Sequence, residues 1–151
     1  MRFRLGRTTR GSLFLVLGYV LSACSALASG PSVELRGQRF DVELATDAAA
    51  QSLGLMFRDS MPAEHGMLFI FDAPQERQFW MKNCRMPLDI LYFDEKYKLV
   101  SVQQRVPPCR SSGNDCPTYA SNGKAQYVLE LNAGTAEKLG VKPGDELKVT
   151  R

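Results

Sequence analysis

The stretch from Arg77 to Asp94, RQFWMKNCRMPLDILYFD, decides how the rest of the chain is read. It contains two apolar runs, each with strand character, around the short segment Cys84–Pro87. If that segment is a four-residue hairpin loop, Asn83 faces Leu88, Lys82 faces Asp89, Met81 faces Ile90 and Trp80 faces Leu91. Alternation then gathers Trp80, Lys82, Asp89, Leu91 and Phe93 on one face. Such a face is read in three ways. Lys82 and Asp89 form a cross-strand ion pair that fixes register, or they hold the polar groups of a ligand stacked on Trp80, or they form a catalytic dyad. The first is the ordinary role of such a pair.

On the N-terminal side, Phe40, Val42 and Leu44 share one face of a strand, with Asp41 and Glu43 on the other. Thr46 or Asp47 caps a helix that runs through Leu53. Met67–Phe71 (MLFIF) is apolar on both faces and reads as a central strand ended by Asp72-Ala73-Pro74. On the C-terminal side comes a strand over Lys98–Val106, then an irregular polar loop from Cys109 to Lys124. Tyr127–Leu131 alternates again. Thr135–Leu139 is a short helix closed by Gly140, and Glu146–Thr150 is a last strand. The expected class is mainly β (α+β): an antiparallel barrel or sandwich-like domain with two short helices packed at its ends.

The first 23 residues are set apart. Arg2, Arg4, Arg7 and Arg10 precede an apolar run, Leu13–Leu21, of nine residues. A membrane span needs about 20, so the run fits a secretory signal. Leu21-Ser22-Ala23-Cys24 resembles a bacterial lipobox, which implies cleavage before Cys24 and a lipid on its sulfur. Ser25 then goes with outer-membrane sorting. An ordinary cleavage after Ala26-Leu27-Ala28, leaving a soluble periplasmic protein, is the alternative. The expected organisation is a signal over 1–23, a linker over 24–32 and one domain over 33–151. Without its first 23 residues the chain keeps 15 Lys+Arg (19 less four arginines) against 16 Asp+Glu. This offers no electrostatic case for nucleic acid.

Cys109 and Cys116 flank a polar loop and are expected to form a disulfide in an oxidising compartment. A bridge to Cys84, or a free Cys84, stays open. The spacing is not that of a thioredoxin-type pair. His65 is the chain's one histidine, which argues against a His-rich zinc centre. It reads as a loop residue rather than a base for Cys84. Five methionines (Met56, Met61, Met67, Met81 and Met86) suggest Cu(I), but their spacing suits core filling as well. No metal and no cofactor is expected, and no phosphate-binding glycine loop is present.

Six ordered blocks carry a resemblance: GMLFIF (66–71), FWMKN (79–83), PLDILYFD (87–94), CPTYAS (116–121), YVLELNAG (127–134) and KLGVKPGDEL (138–147). Together they resemble the family catalogued as domain of unknown function 192. The resemblance implies a compact, mainly β, often exported domain. It carries no activity and no catalytic residues. The family tends to have glycine where this chain has Tyr97, so a positive φ there would strain the tyrosine. Tyr119 and Ser121 lie in a matched block and join Trp80, Lys82 and Asp89 as candidate ligand-binding residues. Three functions follow as expectations. The first is a lipid-anchored envelope module that binds a small polar ligand or an envelope protein without turnover. The second is an envelope enzyme using Asp89 with Lys82 or Tyr119, and the third is a purely structural lipoprotein.

Overall fold

In the computed structural model, which describes residues 30–111 and 115–151, the chain alternates short turns with seven strands. The signal segment, Cys24 and most of the linker lie outside the described residues. The elements are β1 (Ser32–Leu35), β2 (Gln38–Ala45), α1 (Ala48–Leu53), β3 (His65–Trp80), β4 (Leu88–Phe93), β5 (Leu99–Val106), β6 (Thr118–Asn132), α2 (Thr135–Leu139) and β7 (Leu147–Thr150). Among the described residues no helix is long and apolar enough to cross a membrane.

All seven strands join one sheet in the order β5-β4-β6-β3-β2-β1-β7. The sheet curls into a half-barrel. Its two edges touch where Lys98 bridges Glu146 and the Leu99 amide donates to the Asp145 carbonyl at 2.8 Å. The architecture is thus mainly β and barrel-like with two short helices. One pairing departs from an antiparallel scheme: β2 and β3 run parallel. Parallel neighbours need a crossover connection, and α1 with the segment after it supplies it.

Sequence and turn chemistry explain the local pieces. Arg36 and Gly37 both have positive φ (50° and 81°) in the two-residue turn that pairs Leu35 with Gln38. Arg36 is held there by its own side chain, which donates to the Leu139 carbonyl at 2.9 Å and to Asp145 at 3.2 Å. Asp47 caps α1, its carboxylate accepting from the Ala50 amide at 2.9 Å. Tyr97 does sit at positive φ, 59°. Its ring stacks on Tyr127 at 4.2 Å and 14°, which offsets the strain.

The sheet is covered on both faces. Val33, Leu35, Phe40, Val42, Leu68, Leu91, Phe93, Leu99, Leu129, Leu131 and Leu147 fill the inside of the curl, drawn from all seven strands. Met67, Phe69, Leu88, Ile90, Tyr92 and Val128 point the other way. Leu55, Met61, Met81, Cys84 and Met86 cover them from the segments after α1 and after β3.

The hairpin expected over Arg77–Asp94 does not form. β3 and β4 lie on opposite sides of β6: Trp80 pairs with Thr118, and Asp89 pairs with Leu131. The physical reason is the all-buried run Leu88–Phe93. Such a strand needs a neighbour on each side, and β5 and β6 provide both. Two strand ends also shift. β3 continues past Pro74 to Trp80, and β6 begins at Thr118, inside the segment read as loop. Register breaks between Ile70 and Gln75 and between Glu76 and Gln78 absorb the proline and the Asn122-Gly123 pair.

Candidate functional site

The described residues expose three large hydrophobic side chains: Leu53 (53%), Phe57 (55%) and Trp80 (38%). They belong to two segments clasped together. α1 stops at Gly54, whose φ is +47° and where a Cβ would stand 3.3 Å from the Phe69 ring. The chain then turns, and the Phe57 amide donates to the Asn83 carbonyl at 2.8 Å. Phe57 and Asn83 both carry positive φ, 65° and 56°. Gln51 ties α1 to the sheet, its amide donating to the Ile70 carbonyl at 2.8 Å.

Of the spaces that open beside this clasp, two share Trp80. The wider is a pocket of about 330 Å³ between α1 and the end of β3, lined by Gln51, Ser52, Phe71, Gln78, Phe79 and Trp80. Phe79 is fixed at its base by edge-to-face contacts with Phe69 at 5.0 Å and Tyr92 at 5.8 Å. The narrower is a crevice of about 30 Å³ that shares Gln51, Ser52, Phe79 and Trp80 and reaches Met56, Cys84 and Glu130.

Glu130 is the residue that sequence reasoning missed. Its exposure is 4%, and its neighbours across the sheet are Met67 and Ile90. The alternation of Tyr127–Leu131 marks it as facing away from the curl, which reads as solvent. The outer layer of methionines and Leu55 covers that face instead. Burial pushes the Glu130 carboxyl up to about 8, since the charged form would be desolvated. Burial, and then the nearby Glu130 charge, push the Cys84 thiol up to about 11 and raise Tyr92 as well. The available signal was Leu88–Phe93: a strand buried on both faces implies that its neighbour's outer face is covered too.

The candidates from the sequence separate. Trp80 lines both spaces, and the Lys82 ammonium stands 5.0 Å from its ring. Asp89 is elsewhere and fully buried. Its two oxygens accept from the backbone amides of Arg105 and Ala136, each at 2.7 Å. The pairing that would have set it against Lys82 is replaced by this one. Ser121 is fully buried, and its hydroxyl accepts from the Arg77 amide at 3.0 Å and donates to the Gly123 carbonyl. Tyr119 pairs with Phe79, and its carbonyl accepts from the Tyr92 hydroxyl at 2.7 Å. Cys109 and Cys116 are joined, and Cys84 is free and buried. The Cys109 amide donates to the Met81 carbonyl at 3.2 Å, which sets the disulfide ring against the turn after β3.

His65 is the first residue of β3 rather than a loop residue. Its ring nitrogen is 3.2 Å from Glu43, which also takes a two-pronged hydrogen bond from Arg58. That guanidinium, opposed by burial and aided by His65, holds the Glu43 carboxyl down at about 2. A separate cleft of about 350 Å³ lies beside α2 and is lined by Phe40, Met61, Glu64, Asn132 and Lys138 among others. Its Asn132 amide is already bonded to the Met61 and Pro62 carbonyls at 3.1 and 3.0 Å.

A single curled sheet with a small aromatic and amide-lined pocket at one rim defines a compact β-domain with a ligand-sized opening. The chain belongs to the family of domain of unknown function 192, described as an uncharacterised conserved group, whose model matches residues 32–149. Two crystal structures are similar. One is a protein of unknown function from Novosphingobium aromaticivorans DSM 12444, 34% identical over 78% of this chain and 82% of that one, with a TM-score of 0.69. The other, from Sinorhizobium meliloti 1021, is described provisionally as a transcription regulator. It is 36% identical over 82% of this chain and 96% of that one, with a TM-score of 0.70. No curated protein matches the chain.

Proposed function

We propose that the chain is an exported, lipid-anchored module of the cell envelope that binds a small, neutral, sugar-like ligand without turning it over. One observation carries the reading. The exposed Trp80 ring shares a pocket of about 330 Å³ with the neutral polar side chains of Gln51, Ser52 and Gln78. An aromatic face flanked by amides and a hydroxyl suits a ligand with an apolar ring face and polar edges. The pocket lining holds no charged side chain, and the cations that face its rings, Lys82 on Trp80 and Arg77 on Phe71, are engaged with those rings, which favours a neutral ligand.

The enzymatic reading built on Asp89 loses its base, because both carboxylate oxygens are taken by backbone amides. The regulator description of the Sinorhizobium protein is not adopted either. The two helices among the described residues are six and five residues long, too short to serve as a groove-reading helix. The lipid anchor at Cys24 rests on the sequence alone, and it predicts that Cys24→Ala releases the protein from membranes.

Trp80 is the chain's one tryptophan, so its fluorescence reports directly on the pocket. Titration with a panel of neutral mono- and oligosaccharides is expected to shift that fluorescence saturably for at least one member. Gln78→Ala should weaken the same response at least fivefold. A panel that leaves both the fluorescence and the melting temperature unchanged would overturn the reading.

A further inference from the structure

Every methionine after Met1 lies in one layer. Met61, Met67, Met81 and Met86 are buried there with Cys84, and Met56 packs against them. The layer is assembled from three separate segments: the turn after α1, the buried half of β3, and the turn after β3. In its midst the crevice brings together Met56, Cys84 and Glu130. Among the described residues nothing donates a hydrogen bond to the Glu130 carboxyl, and that carboxyl lines the crevice rather than being sealed from it. A buried polar group in this position ordinarily has a partner. The space beside it, about 30 Å³, has room for one water or one bare ion.

The chemistry of the donors narrows the choice. No group of three His, Cys, Asp or Glu comes together among the described residues, so a hard or borderline divalent ion lacks a ligand set. Thioethers and a thiol select soft d¹⁰ ions of single charge. We propose that the crevice is a binding site for a soft monovalent cation of the Cu(I) and Ag(I) class, held by the Met56 thioether, the Cys84 sulfur and the Glu130 carboxyl. Met67, directly across the sheet from Glu130, is the nearest further thioether by register.

The binding step balances simply. The sulfur–hydrogen bond of Cys84 breaks, a metal–sulfur bond forms, and one proton leaves to solvent for each ion that enters. The ion's charge cancels that of the thiolate, so binding adds no net charge to the buried site. Glu130 completes the shell through oxygen and gains the partner it otherwise lacks. No oxidant or reductant takes part. The site is independent of the saccharide reading, although Trp80 borders both spaces.

The test uses the full chain carrying Cys24→Ser, which removes the N-terminal thiol, and Ag(I) alone as the probe. Native mass spectrometry should show one ion per chain, and a pH-stat should record one proton released per ion. Cys84→Ser is expected to weaken binding more than a hundredfold, and Met56→Leu and Glu130→Gln tenfold or more each. Lys138→Ala, in the separate cleft beside α2, should change nothing. The exchanges at Cys84, Met56 and Glu130 nearly conserve volume, and the melting temperature of each variant without Ag(I) checks that it folds. Absence of stoichiometric uptake by the folded protein would overturn the site. So would uptake that survives Cys84→Ser combined with Met56→Leu.

Discussion

Glu130 and Glu43 show how one residue type takes opposite pH behaviour from its surroundings. Glu130 is held at about 8 by burial, against an ordinary carboxyl near 4.5. Its folded form therefore binds protons more tightly than its unfolded form. Its contribution to stability is complete below pH 4.5, declines as the pH rises and is gone above about 8. Glu43 is held at about 2, chiefly by Arg58. Its contribution is present above pH 4.5 and is lost as the pH falls towards 2. Glu43 is 40% exposed, so solvent screens much of its effect. The two together place the optimum near pH 5. Urea unfolding should show stability falling by a few kcal/mol, on the order of 4, between pH 5 and pH 9. Glu130→Gln should flatten that decline, and a variant with the wild-type slope would refute the buried-carboxyl account.

At the level of elements, Asp89 is a fastener. Between Leu88–Val106 and Ile90–Gln103 one residue of β4 faces two of β5, which makes a bulge at Gln104-Arg105. Arg105 has a φ of 52° there. Asp89 satisfies its amide, and with its other oxygen it satisfies the first turn of α2 at Ala136. One side chain thus joins the bulge, the middle of the sheet and a helix. Asp89→Ala would leave two amides without their acceptor and should cost about 3 kcal/mol or more, read from denaturant midpoints. Asp89→Asn keeps an acceptor for one of them and should cost about half as much. The Asp89 case also marks the limit of reading from sequence. Caps such as Asp47 and Gly140 rest on local chemistry, so they were legible in residues a few positions apart. Strand partners were not. Alternation over Phe79–Asn83 and Leu88–Tyr92 tells which side chains share a face of one strand, but not which strand lies beside it. Lys82 and Asp89 could be paired on paper because nothing local revealed that β6 passes between their strands. Ser121 and Asn122-Gly123 looked like loop because a bulge uses the same residues as a turn.

Across the whole molecule stability is unevenly distributed. β4 and the second half of β6 have neighbours on both sides and are buried on both faces. The stretch of β3 from Asp72 to Trp80 is different. It leaves the covered sheet as an arm paired with Thr118–Ala125, and its residues are half-buried or exposed. A two-stranded ribbon of this kind is marginal on its own. Its fasteners include the Ser121 hydroxyl at the Arg77 bulge, the Gln103 amide donating to the Ala120 carbonyl at 2.9 Å, the Tyr92 hydroxyl donating to the Tyr119 carbonyl at 2.7 Å, and the disulfide just before Thr118. The bridge closes a short ring, worth roughly 2–3 kcal/mol by loop entropy. Its Cys109 end is hydrogen-bonded to Met81, at the foot of the arm and beside the pocket. Cutting it should therefore loosen the arm before it loosens the sheet. In hydrogen exchange, Cys109→Ser with Cys116→Ser should speed the amides of Gln78–Trp80 at least tenfold. The amides of Ile90–Tyr92 and Leu129–Leu131 should slow or quicken only as far as global stability changes. An equal acceleration in all three stretches would mean that the arm and the sheet open together, and that the disulfide steadies the whole fold rather than the wall of the pocket.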